Sequence, residues 1–568
     1  MPKFLQSIFI IISYLLIALF IFIVASNMQI DELQTFLSVY YVYLLELTFF
    51  LLIIAFVFNL KSIKEIFKGI ENKYSFLLIL IAVIGVFITS LVAPRVHRIY
   101  FDEDIYNNIG QCISDHKRAV MCNEGYYEDN ELKIIGAEYN KQPQGYPYLI
   151  SIVFRVFGTN ELFIFILNNV IFGLTVIVIF LISYLLFENI FTSLLACLSY
   201  IFIPVNLHWF NTCAVEPSTA FFVSLTILAS LIYVRNRKPV NLFFLTTALA
   251  FTLNFRLECF LIVIVIGLIF LLKDFEIFKR VDLYIFGALL FLLSTGILLH
   301  LYAVRGQSWG ASGAKFSLDY LPDNLRTNMM FYLNNREFPL LFSLFGIVGL
   351  LFYQNKDYVK EKVIILSWFL AFCGIFLFFY AGSYRFGQDV RFSILSYVPI
   401  SIFIGLGGSL FENILVNKVR SVRLILILLI VFNFTWFLPF ISAEGEEAWA
   451  SRKGHRYAEE FAGLLPEDSI TFTHNPNIFL LRKKSAIQSS SETYNPGIIE
   501  RYLEQFKGGV YVHFNYWSNV TDPIQRGFTE IIFNRYDCKT VREYYYRNYK
   551  YGLYKVIGRK DMHTSYSH

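Results

Sequence analysis

The sequence predicts an α-helical polytopic membrane protein that ends in a small α/β domain. The chain has 568 residues, of which 56% are hydrophobic and only 16% are charged, whereas soluble domains carry about 25% charged residues. Long uncharged runs, such as residues 76–92 and 363–380, recur up to about residue 440, and each is long enough to cross a bilayer. Residues 443–568 are more polar. The composition therefore excludes a soluble globular enzyme.

The apolar runs predict about thirteen transmembrane helices. They lie at residues 5–24, 36–58, 76–92, 162–186, 190–205, 219–234, 240–253, 257–272, 284–302, 338–352, 363–380, 394–411 and 424–440. A second run follows the first at once, so we interpret the first as an anchor helix and not as a cleaved signal peptide. We predict three domains: two additional N-terminal helices with a cytoplasmic loop (1–75), a membrane domain (76–442) and a C-terminal domain (443–568).

Basic residues in short loops predict the orientation of these helices, because such loops are retained in the cytoplasm. Five loops are rich in Lys and Arg, at residues 61–73, 235–238, 273–280, 356–362 and 418–423. An even number of crossings must separate any two of them. We therefore expect a multi-pass protein of the inner or plasma membrane with a cytoplasmic N-terminus. Residues 93–161, residues 303–337 and the C-terminal domain are predicted to be extracytoplasmic.

One apolar segment, residues 146–157, is too short to be a span. A helix of about twelve residues extends about 18 Å, against a hydrocarbon core of about 30 Å. If it crossed the membrane, every later basic loop would face outward. We therefore predict an interfacial helix on the outer surface.

The C-terminal domain alternates between two patterns. Residues 455–465 and 496–506 have helical periodicity, whereas residues 470–473, 510–515 and 552–557 are typical of strands. The segment is long enough for an independent core. We expect one small extracytoplasmic α/β domain.

The first outer loop carries three consecutive acids, Asp102, Glu103 and Asp104. A carboxylate at a membrane surface can accept a proton from an attacking hydroxyl or bind a divalent cation. The alternative is a solvated acidic turn or a helix N-terminus near Ile105, where anionic groups are favoured. In the same loop, Cys112 could pair with a second cysteine, Cys122, in an oxidising compartment.

A fourth acid, Glu216, precedes Pro217 at the predicted outer start of a span. Proline is common in the first helical turn, so Glu216 has a purely structural explanation as a residue near the N-cap. A carboxylate at the rim of a helix bundle is nevertheless costly to desolvate unless it faces a polar cavity or a partner. Both interpretations stay open.

Outer cationic residues complete the pattern: Arg256 beside Glu258 in one turn, and Arg385 and Arg391 before a late span. Arginine clusters suit phosphate, which they grip in fork geometry. The alternative is a local ion pair between Asp389 and one of the flanking arginines. The net charge of +5 is spread over short loops, so we expect no nucleic-acid partner.

The acid pair Asp102-Glu103, followed by Tyr106, resembles a motif of the GT-C glycosyltransferases. The resemblance is to the branch of protein O-mannosyltransferases and lipid A aminoarabinose transferases, glycosyltransferase family 39. The stretch Lys141-Gln142-Pro143 is similar to the Lys/His-Pro-Pro segment of that branch, although Gln142 replaces a proline.

Two later positions extend the resemblance. Glu216 lies where the family places a second acid, and Arg391-Phe392 before Pro399 is similar to its late Arg-Tyr-to-Pro motif. The resemblance covers about residues 76–440. It implies the GT-C fold and an inverting transferase that moves a sugar from a polyprenyl phosphate carrier to an extracytoplasmic lipid, glycan or protein.

The resemblance also implies roles for individual residues. Asp102 would be the general base, with Glu103 and Glu216 orienting the acceptor or the sugar. Substrate-binding residues would be Asp104, Tyr106, Lys141, Arg256, Glu258, Arg385 and Arg391, with the three arginines on the carrier phosphate. No cofactor is certain, but the four acids at positions 102, 103, 104 and 216 are candidate ligands for Mg²⁺ or Mn²⁺.

Two alternative functions fit a polytopic protein that binds a lipid phosphate. A transporter or flippase of lipid-linked sugars predicts charges near the bilayer midplane and repeated or broken spans. The candidate charges here lie instead at the outer rim. Another membrane glycan transferase, such as a ligase or an oligosaccharyltransferase, is the nearer alternative, and the early acid pair favours the branch that transfers single sugars.

Overall fold

The computed structural model describes residues 3–99, 101–307, 311, 313–353, 358–384, 389–415, 421–446, 450–519 and 522–560. The chain divides into two compact units. One, the membrane unit, comprises Met1–Arg95, Lys141–Tyr146 and Phe165–Glu446. The other, the sheet unit, comprises Val96–Asn140, Pro147–Ile164 and Glu447–His568.

The α-helices are α1 (Lys3–Asn27), α2 (Ile30–Phe67), α3 (Asn72–Val92), α4 (Asp102–His116), α5 (Gly145–Phe157), α6 (Leu162–Phe187), α7 (Ile190–Ile201), α8 (Pro204–Trp209), α9 (Glu216–Arg235), α10 (Pro239–Thr252), α11 (Ile262–Lys273), α12 (Val281–Leu293), α13 (Thr295–Ala303), α14 (Leu321–Leu333), α15 (Leu340–Phe352), α16 (Val359–Leu377), α17 (Ile394–Leu415), α18 (Val422–Glu446), α19 (Ala450–Ala462), α20 (Pro476–Leu480), α21 (Ser491–Tyr494), α22 (Ile498–Gln505) and α23 (Pro523–Arg535). Short 3₁₀ turns are Leu257–Leu261, Phe275–Lys279, Leu318–Tyr320, Asp389–Ser393 and Tyr516–Ser518. The strands are β1 (Met121–Glu128), β2 (Glu131–Glu138), β3 (Ser469–Thr473), β4 (Ser485–Gln488), β5 (Gly509–Phe514), β6 (Tyr536–Tyr546) and β7 (Tyr549–Arg559).

Long apolar helices confirm the prediction of a polytopic membrane protein. Among the described residues, seven helices are long and apolar enough to cross a bilayer, or eight if the bent pair α12–α13 forms one span. Every predicted apolar run coincides with helix, but several of these helices, such as α7, α10 and α15, are shorter than a full span. The count of thirteen crossings therefore stays a prediction.

Small residues allow close helix packing in the membrane unit. At Gly349 on α15 a side chain would meet the main-chain oxygen of Phe403 at 2.1 Å, and at Gly407 on α17 it would meet that of Phe345 at 2.0 Å. The two helices therefore pack backbone to backbone, as small residues permit in membranes. This contact fixes α17, whose first turns follow the polar residues Asp389 and Arg391.

A seven-stranded mixed sheet organises the sheet unit, in the order β2-β1-β4-β3-β5-β7-β6. The central strand β3 pairs in parallel with β4 and β5, whereas the other pairs are antiparallel. Helices cover both faces, since side chains of α19 and α20 join one apolar core and those of α22 and α23 join the other. The predicted helices 455–465 and 496–506 and the three predicted strands are confirmed as parts of this unit.

The sheet is larger than the C-terminal segment alone predicts, because the first outer loop contributes two strands. β1 and β2 form a hairpin whose turn residues Asp129 and Asn130 have φ of 51° and 65°. This is the backbone of a two-residue primed turn, which Asp and Asn tolerate. The hairpin joins the sheet through the pairs Glu124↔Ile487 and Gly125↔Ala486. Two cysteines of this loop, at positions 112 and 122, are buried free thiols.

Candidate functional site

The membrane unit contains a cluster of four predicted site residues, Glu216, Arg256, Glu258 and Arg391, which we call the arginine cluster. Glu216 is the first residue of α9, with Pro217 in the first turn as the sequence predicts. The loop before it is held by hydrogen bonds from the side chain of Asn168 to the carbonyls at positions 212 and 214, at 2.8 and 3.1 Å. The start of α9 is thereby fixed.

One carboxylate oxygen serves both arginines of this cluster. Arg256 donates to Oε1 of Glu216 at 2.5 Å, and the Nε of Arg391 lies 3.3 Å from the same oxygen. Arg256 also donates to Glu258. Glu216 is 1% exposed, whereas the side chains of Arg256 and Arg391 retain 15% and 14% of their surface. The carboxylate is buried, and both arginine side chains retain some exposed surface.

An aromatic ring orients both guanidinium groups. The Cζ atoms of Arg256 and Arg391 lie 5.3 and 4.9 Å from the centroid of Phe392, within the range of cation–π attraction. Two arginines from distant parts of the chain are thus held side by side, which is a geometry suited to phosphate oxygens. The third predicted arginine, Arg385, lies outside the described residues.

Lys141 also lies in the membrane unit, in the short segment that precedes α5. Its main-chain carbonyl accepts a hydrogen bond from Nε2 of His300 at 3.1 Å. Four residues later, the N–H of Gly145 donates to the carbonyl of Asn254 at 2.7 Å, and a Cβ at Gly145 would collide with that group. These contacts fix the backbone of the segment that resembles the Lys/His-Pro-Pro motif.

The three acids of the first outer loop lie in the sheet unit, in the first turn of α4. Asp102 is half-buried, whereas Glu103 and Asp104 are completely buried. Glu103 accepts hydrogen bonds from the main-chain N–H groups of Arg98 and Ile99 at 2.7 and 2.9 Å, so one of its oxygens fastens the approach to the helix. Another predicted site residue, the tyrosine at position 106, is buried in the same helix.

Asp104 has polar partners from the C-terminal part of the sheet unit. Its Oδ1 lies 3.0 Å from Nε2 of His455 on α19, and its Oδ2 accepts from the side chain of Asn475 at 2.9 Å. Asp104 is therefore engaged on both oxygens. Asp102, Glu103 and Asp104 belong to the sheet unit and Glu216 belongs to the membrane unit.

Another acid, Glu161, extends the network around Asp104. Its Oε2 lies 3.2 Å from Nε2 of His97, and its Oε1 accepts from Arg482 at 3.2 Å. Burial raises the pKa of the Glu161 carboxyl, but Arg482 and His97 outweigh burial and hold the pKa well below its usual range. The anionic form is thus favoured by folding.

Because of Glu161, the stability of the folded protein is expected to decrease as the pH is lowered. Its pKa is lower in the folded chain than the unfolded value of about 4.3, so its contribution is present above that pH and is lost as the pH falls towards the folded pKa. Thermal unfolding of the detergent-purified protein should show a smaller loss of Tm below about pH 4.5 in Glu161→Gln than in wild type. If Tm decreases equally with pH in both proteins, Glu161 does not have this role.

Sequence reasoning missed His97, Glu161, His455, Asn475 and Arg482 as site residues. His97 lies within the run that precedes the three acids, and Glu161 immediately precedes an apolar run. For His97 and Glu161, the sequence signal that could have identified them was the position of a polar residue close to a predicted span. Nothing local marks the other three, because their partners lie hundreds of residues away.

A family model matches part of the chain. Residues 141–300 match the family described as dolichyl-phosphate-mannose-protein mannosyltransferase. The matched region contains Lys141, Glu216, Arg256 and Glu258. No curated protein matches the chain by sequence.

The fold is similar to that of the solved structures of ArnT. The structures of ArnT from Cupriavidus metallidurans, one bound to undecaprenyl phosphate and one in the apo state, each align with a TM-score of 0.53 at 11% identity. Each alignment covers 85% of this chain and 98% of ArnT. The arabinofuranosyltransferase AftD from Mycobacteria aligns with a TM-score of 0.44 at 10% identity, over 84% of this chain and 40% of AftD.

These findings confirm the predicted resemblance and the predicted fold class. The family match and the alignment with ArnT identify the GT-C fold, a membrane helix bundle, in a chain that also carries a C-terminal sheet domain. The chain is therefore similar to the GT-C glycosyltransferase ArnT over 85% of its length.

Proposed function

We propose that this protein is an inverting glycosyltransferase that moves a sugar from a polyprenyl phosphate carrier to an extracytoplasmic acceptor. The observation that carries the proposal is the arginine cluster, in which two guanidinium groups share the buried carboxylate of Glu216. The GT-C fold and the binding of undecaprenyl phosphate by ArnT support the donor class. The protein would act in the inner or plasma membrane.

On the donor side, Arg256 and Arg391 would bind the carrier phosphate. Each contacts Glu216 and retains some exposed surface, and guanidinium groups bind phosphate oxygens in fork geometry. Arg385 and Lys141 are the further cationic candidates. As the sugar leaves, negative charge develops on the carrier phosphate, and this charge is what the guanidinium groups would stabilise.

Glu216 would orient the sugar as well as the arginines. Its Oε2 is buried and accepts no hydrogen bond among the residues that the structure describes. A buried acceptor without a donor is costly, and a sugar hydroxyl would supply the donor. Glu258 would hold the second edge of Arg256, with which it already pairs.

On the acceptor side, Asp102 would be the general base. Of the three adjacent acids it is the one with exposed surface, whereas Glu103 is engaged by backbone N–H groups and Asp104 by His455 and Asn475. Asp102 would take the proton of the acceptor hydroxyl. That oxygen then attacks the anomeric carbon in line, the bond from carbon to phosphate oxygen breaks, and polyprenyl phosphate leaves with inversion and without a covalent sugar–enzyme intermediate.

Carrier binding tests this proposal. Native mass spectrometry of the detergent-purified protein should show a bound polyprenyl phosphate or its glycosyl ester, and added undecaprenyl phosphate should bind. Arg256→Gln and Arg391→Gln should each weaken that binding about ten- to hundred-fold, the value of one charge-assisted hydrogen bond.

Arg305→Gln is the matched control, because Arg305 is an exposed arginine of the membrane unit that stacks on Tyr302. It should bind the carrier as wild type does. If wild type retains only bulk phospholipids and does not bind added undecaprenyl phosphate, the proposed donor class is wrong.

A further inference from the structure

Four side chains of the sheet unit converge in a way that transfer chemistry does not require. His97, Asp104, Glu161 and His455, which we call the imidazole cluster, each place one nitrogen or oxygen atom within 4.8 Å of the corresponding atoms of the others. They come from separate segments, namely the approach to α4, its first turn, the residue before α6, and α19. Three of the four are buried and the fourth is mostly buried.

The spacing of these atoms is close to that of ligands around one small cation. Nε2 of His455 lies 3.0 Å from Oδ1 of Asp104, and Nε2 of His97 lies 3.2 Å from Oε2 of Glu161. All four ligand atoms lie within 4.8 Å of one another. Ligands placed 2.0–2.2 Å from a tetrahedral Zn²⁺ lie about 3.3–3.6 Å apart. Small shifts of the side chains would therefore complete such a site.

The two imidazole rings lie face to face. Their centroids are 4.2 Å apart and their planes differ by 25°. Neutral imidazole is the form that binds a metal ion, and a bound cation would balance the two carboxylates.

The surrounding residues hold the carboxylates as a metal site requires. Asn475 binds Oδ2 of Asp104, and the other oxygen of Asp104 lies against His455. Arg482 donates to Oε1 of Glu161 at 3.2 Å and to Oε2 at 3.5 Å, and Oε2 also lies 3.2 Å from His97. Behind His97, the carboxylate of Glu103 lies 3.6 Å from Nδ1. Such outer partners orient the ligands of most protein metal centres.

We propose that the imidazole cluster binds one divalent cation of the zinc class. Two imidazole nitrogens and two carboxylate oxygens fill a tetrahedral coordination shell, and imidazole favours zinc over magnesium or calcium. With four protein ligands the site is closed, so the ion would join the loop before α4 to α19 and would not activate water. The inference is independent of the proposed transfer reaction.

Metal analysis of the full-length, detergent-purified protein tests this site. We expect about one zinc per chain after gel filtration without chelator. His455→Gln and Glu161→Gln should reduce the content at least tenfold. The matched control is His474→Gln, since His474 is a histidine of the same unit that packs against the rings of Phe101 and Trp517, and it should keep its zinc.

Wild-type measurements keep the test decisive if a ligand variant does not fold. Stripping with a chelator should lower the Tm of wild type, and added Zn²⁺ should restore it. Replacement by Co²⁺ should give the intense visible bands of a tetrahedral centre. A wild-type protein that carries no zinc and whose Tm does not respond to added Zn²⁺ would overturn the proposal, as would full zinc content in both ligand variants.

Discussion

Asp102→Asn is expected to lower the turnover of sugar transfer by about 10²- to 10⁴-fold, the usual contribution of a general base. The amide keeps the size and the hydrogen-bonding reach of the carboxylate but cannot take the proton of the acceptor hydroxyl. Because the change lies at the acceptor end of the reaction, binding of undecaprenyl phosphate should stay near the wild-type level. The measurement is single-turnover transfer alongside carrier binding.

A control on the same helix separates chemistry from folding. Asp115→Asn makes the identical change near the C-terminal end of α4 and should leave transfer unchanged. Wild-type turnover in purified Asp102→Asn protein would remove this residue as the base. A parallel loss of turnover and of Tm would instead indicate a structural role.

Glu216→Gln is expected to destabilise the membrane unit by about 3 kcal/mol, because breaking a buried ion pair leaves its partner charge uncompensated. Two guanidinium groups share this carboxylate. After the change Arg256 keeps Glu258, but Arg391 loses the carboxylate that it contacts in the cluster. The midpoint of unfolding in denaturant or heat should fall accordingly.

The relative stabilities of three variants test this prediction. Arg391→Gln should cost less stability than Glu216→Gln, since Glu216 then still pairs with Arg256. Glu258→Gln should also cost less, because Arg256 keeps Glu216. If Glu216→Gln unfolds no more easily than Arg391→Gln, the shared carboxylate is not the centre of the cluster.

Most of the membrane helices were predictable because an apolar run in a lipid environment has few other stable conformations. The acids and arginines that interrupt these runs were predictable for the same reason, since a charge beside a span needs a partner. Sequence alone did not show that Glu216 and Arg391 meet. That contact depends on how α9 and α17 pack, and many pairings of spans satisfy the same apolar pattern.

The imidazole cluster escaped prediction for a different reason. His97, Asp104, Glu161 and His455 have no fixed spacing along the chain, so no metal-binding motif marks them. The hairpin β1–β2 had a local signal, the Asp129-Asn130 turn between two alternating segments. No sequence signal indicated that the hairpin pairs with β4, because β4 is distant in sequence and is only four residues long.

The strand order of the sheet also dictates when this protein can finish folding. β1 pairs with β4, which is synthesised more than half of the chain later. At 5–20 residues per second this interval lasts about 20–70 s, during which β1 is an open strand edge. A chain cut before β4 would keep that edge open permanently. The hairpin of the first loop therefore stays unpaired at β1 until β4 has been synthesised, which is later than the synthesis of the long apolar helix α18.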